Sequence, residues 1–156
     1  MNWASLISAV LGAAIGITST LLADRARWRR DSEERHRTER REVYTEYLTA
    51  LSRTRNGLRE AARSPVNERS GNAREAFHTG GAYELRIQMT ITAPDRLIQP
   101  SEAAYRSLRK LRNSIEDGAS HNDEAYIEQR EDYQSTLEIL RRGMREDLGV
   151  ATAADD

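Results

Sequence analysis

A run without any charged side chain, from Trp3 to Ala23, constrains the fold of this chain more than any other feature of its sequence. An α-helix rises 1.5 Å per residue, so the run would extend about 31 Å as a helix, which matches the hydrocarbon core of a bilayer. A cleaved signal peptide would carry a basic residue before the run and small residues at its cleavage site. A core helix that is apolar on all sides would need a larger protein around it. We therefore predict a transmembrane anchor over residues 1–23, with a cleaved signal peptide and a buried core helix as the alternatives.

The residues that flank this run predict its orientation. Positively charged residues beside a span stay on the cytoplasmic side, and all the flanking arginines follow the run. We therefore expect a single-pass protein of the cell (inner) membrane, with the N-terminus outside and residues 24–156 in the cytoplasm. The predicted membrane-interface anchors are Trp3, Arg25, Arg27, Trp28, Arg29 and Arg30. Packing of Trp28 on a neighbouring helix is an equal alternative.

Small residues recur at every fourth position of the predicted span, namely Ser8, Gly12, Gly16 and Thr20. The two glycines form a G-x-x-x-G motif, which lets two helix backbones approach closely in lipid. This pattern indicates membrane-helix packing between two copies, so the chain is expected to form a homo-oligomer. The alternative is that small residues are simply common in membrane spans.

The remainder of the chain predicts helices. Residues 24–42 are dense in opposite charges, which predicts a juxtamembrane helical stalk. Residues 43–149 carry apolar side chains at three- and four-residue steps, which predicts a helical bundle. Residues 150–156 are predicted to form a flexible polar tail. The predicted fold is all-α: one N-terminal transmembrane helix continues into the charged stalk and an antiparallel helical bundle. Three further helices are predicted to follow the first one. They run from about Ala73 to Thr92, from Pro100 to Gly118, and from Asn122 or Asp123 to Gly149.

The second of these helices has the weakest pattern, because Gly80 and Gly81 lower its helix propensity by about 1 kcal/mol each. The β-branched alternation that follows could also suit a strand, but the chain offers no partner strand. We expect a helix in which the two glycines mark a close crossing or a break.

Composition and motifs exclude several function classes. With 24 basic and 25 acidic residues the chain has no basic field for nucleic acid, and with no cysteine it has no disulfide, thiolate metal site or cysteine nucleophile. Of the histidines, His121 alone stands beside acids, Asp123 and Glu124, where a helix-capping loop is favoured over a metal site. No catalytic fingerprint is found. We therefore expect no enzyme activity, no cofactor and no metal.

Four tyrosines at helical spacing form the last candidate site: Tyr44, Tyr47, Tyr126 and Tyr133. Buried tyrosines whose hydroxyls reach a polar partner are the usual interpretation. An exposed face that binds a protein partner is the alternative.

Two short motifs resemble those of a known group of proteins. The first is "RREVYTEYLTAL", with Arg41, Tyr44, Tyr47 and Leu48, and the second is the closing "LRRGMREDLG". Together with the apolar run and the arginine-rich helix, they resemble small uncharacterised single-pass membrane proteins with a cytoplasmic helical domain, common in actinobacteria and their phages. The resemblance implies no known activity or site residues. Gly80 and Gly81 depart from the smooth helical pattern of that group.

The function that these features indicate is a membrane-anchored cytoplasmic helical interaction module, such as an adaptor, a scaffold or a regulatory subunit. Its expected partners are the membrane, a second copy and an unknown protein. The alternative is a membrane-active phage or defence protein, holin-like or pore-forming, that acts by assembly of its transmembrane helices.

Overall fold

A computed structural model describes the backbone of residues 3–150, together with the side chains of Trp28 and of residues 32–150. Five α-helices cover this part of the chain and no strand occurs in it, which confirms the all-α prediction there. They are α1 (Trp3–Ala61), α2 (Val66–Thr79), α3 (Ala82–Thr92), α4 (Asp95–Glu116) and α5 (Glu124–Asp147). The chain divides into two compact units, Met1–Glu39 and Arg40–Asp156.

The first unit contains the predicted span, but most of its side chains lie outside those described. Ser8, Gly12, Gly16 and Thr20 lie outside them, as do the anchors Trp3, Arg25, Arg27, Arg29 and Arg30. Trp28 is exposed. No helix among the fully described residues is long and apolar enough to cross a membrane. The membrane span and the stalk therefore stay predictions.

The second unit is an antiparallel helical bundle around one apolar core. Three side-chain pairs join α4 to α5 as one residue number rises and the other falls: Arg96 with Asp147, Ser107 with Thr136, and Lys110 with Asp132. Two helices can show this order only when they run in opposite directions. The fully buried large apolar side chains include Leu51, Leu58, Met89, Leu97, Leu108, Leu111, Ile115 and Leu140. This core holds the other surfaces of the unit in place.

Two prolines directly precede helices in this unit, and the sequence prediction placed the starts of both helices too late. Helix α2 begins at Val66, directly after Pro65, and helix α4 begins at Asp95, directly after Pro94. Proline has no backbone N–H, and the first residues of a helix do not need theirs for intrahelical bonds. Pro100, the predicted start of a helix, lies inside α4.

The pair Gly80–Gly81 divides the predicted helix from Ala73 to Thr92 into α2 and α3, so it is both a crossing and a break. Gly81 has φ of 75°, in the left-handed region that glycine adopts without steric cost. At Gly80 a Cβ atom would lie 2.7 Å from Thr54 Cβ and would overlap Thr54 Oγ1. The chain therefore turns at Gly81 and passes against α1 at Gly80.

Candidate interaction surface

The four tyrosines of the predicted partner face are buried in the core of the second unit. Tyr44, Tyr47, Tyr126 and Tyr133 expose at most 3% of their surface. The interpretation as an exposed partner face is therefore corrected. Their helical spacing places them on the inward sides of α1 and α5, where each ring fills core volume.

Three of the four hydroxyls donate hydrogen bonds to polar atoms inside the bundle. Tyr47 Oη donates to the carbonyl oxygen of Ser101 at 3.2 Å, and Tyr133 Oη donates to that of Leu51 at 3.4 Å. Burial raises the pKa of Tyr47 to about 12 and that of Tyr133 to about 12 as well. Both phenols are therefore held in their neutral form inside the core.

The third hydroxyl belongs to a charged cluster that joins α1, α4 and α5. Tyr44 Oη donates to Asp147 Oδ2 at 2.8 Å, and Arg40 Nε lies 3.1 Å from the same oxygen. Arg96 bonds to the other carboxylate oxygen of Asp147. Burial, followed by the bond to Asp147, raises the pKa of Tyr44. The carboxylate has two cations and a hydroxyl as partners, so we assign it a structural role.

The exposed face of α3 carries an apolar surface that we call the α3 stripe, formed by Tyr83, Ile87 and Ile91. These side chains expose 51%, 42% and 80% of their surface. They are spaced by four residues, so they project from one side of the helix. A contiguous exposed apolar patch of this kind marks an interaction site more often than isolated apolar residues do.

The opposite face of α3 attaches the helix to the bundle. Ala82 and Met89 are its buried side chains. Arg86 bonds to Glu102 of α4, and its guanidinium carbon lies 4.8 Å from the centre of the Tyr105 ring. The short helix therefore has apolar side chains on both faces, and its outer face lies open.

The loop around His121 is occupied by local hydrogen bonds. The His121 backbone N–H donates to the carbonyl oxygen of Ala62 at 3.1 Å, and the Asp123 carboxylate accepts from the Ser120 backbone N–H at 2.7 Å. The bond from the Ser120 backbone lowers the pKa of Asp123. Within the described residues no group of three or more metal-binding side chains is found.

Sequence reasoning missed the α3 stripe because it did not divide the apolar residues of this segment between two faces of the helix. A signal for two faces was present in the spacing. Leu85 and Met89 form one i, i+4 pair, while Tyr83, Ile87 and Ile91 form a second set that is displaced by two residues, or about 200° around a helix. The two sets must therefore lie on opposite sides.

Comparison with known proteins identifies no relative: no protein-family model, no curated protein and no solved structure matches the chain. The resemblance to small single-pass membrane proteins therefore stays a prediction. Any functional proposal has to rest on the residues themselves.

Proposed function

We propose that the protein is a membrane-anchored helical interaction module, at the inner face of the cell membrane, that self-associates through the α3 stripe. As an adaptor, scaffold or regulatory subunit it would present its bundle in pairs. The observation that carries the proposal is the exposure of Tyr83, Ile87 and Ile91 on one side of a helix whose other side is packed.

The size of the stripe favours a partner that is already nearby. Three partly exposed side chains offer a few hundred Å² of apolar surface, whereas a stable interface needs roughly 800 Å² from each partner. A free partner would gain too little from this surface to stay bound. A partner tethered to the same membrane would face an effective concentration of about millimolar, at which a weak contact suffices.

A second copy of this chain meets that requirement with the features already present. The predicted span carries Gly12 and Gly16, which would bring two copies together in lipid. The centre of the α3 stripe contains no charge, so two stripes can approach without like-charge repulsion. The two contacts would support each other, one in the membrane and one outside it.

A lipid surface is the less suitable occupant of the stripe. Helices that lie on anionic membranes carry basic residues beside their apolar face. Here the flanking cation, Arg86, is bonded to Glu102, and the exposed Glu84 would be repelled by anionic headgroups. A protein surface avoids both costs.

Sedimentation of the full chain in mild detergent tests the self-association. We expect a dimer that Ile91→Glu converts largely to monomer, because the substitution places a charge at the most exposed residue of the stripe. The matched control is Val66→Glu, which changes another exposed apolar residue, 71% exposed, at the start of α2. Monomer in the unchanged chain, or equal loss of dimer in both variants, would refute the proposed contact.

The membrane location needs its own test, and the absence of cysteine makes one simple. A cysteine at the exposed loop residue Asn122 is the single site for a membrane-impermeant maleimide. We expect the protein in the membrane pellet and labelling only after lysis. Labelling in intact cells would reverse the orientation, and a protein in the soluble fraction would remove the anchor.

A further inference from the structure

A groove between α1 and α5 lies in the second unit and has no part in the proposed function. Its volume is about 640 Å³, within the range of about 300–1,000 Å³ that is usual for small-molecule sites. Its lining includes Arg55 of α1 and Tyr133, Leu137, Glu138 and Arg141 of α5. The groove therefore combines an aromatic and aliphatic wall with charged side chains from two helices.

The two arginines of the groove lack carboxylate partners among the described residues. Arg55 donates to the side-chain oxygen of its neighbour Asn56 at 3.3 Å, and Arg141 forms no ion pair in this part of the chain. Burial raises the pKa of Tyr133 to about 12, and the positive charges of Arg141 and Arg55 oppose this rise. Arg55 lines the groove from α1 and Arg141 lines it from α5, with Tyr133 in the same lining.

We propose that this groove binds a small amphipathic oxyanion, an organic carboxylate or a phosphate monoester, with its charged oxygens between Arg55 and Arg141. Guanidinium groups match the geometry of both anions and form strong charge-assisted hydrogen bonds with them. The apolar part of the ligand lies along Leu137. Glu138, the acid of the groove, opposes anion binding and sets its strength.

Isothermal titration calorimetry of the full chain in mild detergent tests this site with phenyl phosphate, benzoate, inorganic phosphate and phenol as probes. We expect phenyl phosphate or benzoate to bind more tightly than inorganic phosphate and phenol, because only the first two combine an anion with an apolar ring. Tighter binding of phenyl phosphate assigns the site to phosphate esters, and tighter binding of benzoate assigns it to carboxylates.

Substitutions locate the binding. Arg55→Gln and Arg141→Gln should each weaken binding of the better probe by about tenfold or more, as expected for loss of a charged hydrogen bond. Glu138→Gln should strengthen it several-fold. The matched controls, Arg53→Gln and Arg142→Gln, remove exposed arginines from the same two helices and should leave the affinity within about twofold.

Three results would overturn the site: no binding of phenyl phosphate or benzoate up to about 10 mM, equal weakening by the control substitutions, or preference for inorganic phosphate. The site does not depend on the α3 stripe, so the Ile91→Glu chain should bind the same probes with unchanged affinity. A failure of self-association and a failure of anion binding are thus separate results.

Discussion

Helices α3 and α4 follow each other along the chain, yet the bundle holds them in different ways. In the 22-residue α4, eight side chains are buried, and the apolar ones recur at helical spacing. In the 11-residue α3, two side chains are buried and three large apolar ones are exposed. A helix as short as α3 is marginal in water without tertiary contacts. The core therefore stabilises α4 directly, whereas α3 leaves much of its apolar surface exposed.

The largest effect that separates the two helices is expected from truncation of a core side chain. Leu108→Ala in α4 removes a fully buried side chain and should lower the free energy of unfolding by about 2–5 kcal/mol. Ile87→Ala in α3, at a position 42% exposed, should cost less than about 1 kcal/mol. Urea unfolding of both variants measures the difference. Similar costs would mean that the exposed face of α3 contributes to the core.

The next effect is a loss of stability at alkaline pH, caused by ionisation of tyrosines that are buried in the core. Burial raises the pKa of Tyr47 to about 12 and that of Tyr133 to about 12, from an ordinary 10.0. Because the folded state favours the neutral phenol, each tyrosine contributes to the free energy of unfolding. This contribution is fully present below about pH 10 and is lost as the pH rises from 10 towards 12. Between about pH 9 and about pH 11 the ionisation of each tyrosine should lower the free energy of unfolding by about 1.4 kcal/mol.

Urea unfolding at these two pH values checks the alkaline loss. Tyr47→Phe and Tyr133→Phe should each remove its own share of the decline, since phenylalanine cannot ionise. An unchanged pH dependence in both variants would show that other groups cause it. The Tyr47 share belongs to the contact of α1 with α4, because the Tyr47 hydroxyl donates to the backbone of Ser101. The Tyr133 share belongs to the contact of α5 with α1, where the hydroxyl donates to the backbone of Leu51.

An effect of similar size concerns the crossing that separates α3 from α2. Gly80→Ala places a Cβ atom against the buried Thr54 and should destabilise the bundle by about 1–3 kcal/mol, the usual cost of overpacking. Gly71→Ala is the matched control, because a Cβ there meets no atom within 4 Å and should stabilise α2 by up to about 1 kcal/mol. Thermal unfolding compares the two, and a stabilising Gly80→Ala would exclude a close crossing.

The sequence predicted the elements whose pattern depends on their own residues. The spacing of Leu108, Leu111 and Ile115 indicates a buried face, and all three side chains are buried in α4. Asn122 or Asp123 was the predicted N-cap of the last helix; Asp123 takes that position, although its side chain forms no capping bond, and α5 begins at the next residue. In these helices the periodicity of apolar residues and the position in the core agree, so one pattern predicts both.

The parts that sequence reasoning did not predict depend on neighbours in space. The predicted starts at Ala73 and Pro100 were too late, because Pro65 and Pro94 each suit the beginning of a helix, and tertiary packing decides how soon that helix begins. Nothing in the sequence around Gly80 indicates that Thr54 lies opposite it. The α3 stripe was hidden because a helix with two apolar faces has no single periodic signal, and only the packing shows which face is covered.

The smallest effect should appear in α3 alone. Thr90→Ala, at an exposed position of α3, replaces a β-branched residue by the best helix former and should stabilise the helix by about 0.5 kcal/mol. Because α3 buries few side chains, its amides should exchange through local opening, while those of α4 require opening of the core. Hydrogen exchange should therefore slow by about twofold in α3 and remain unchanged in α4. Equal slowing in both would show that they open as one unit, and that α3 is held as firmly as the helix beside it.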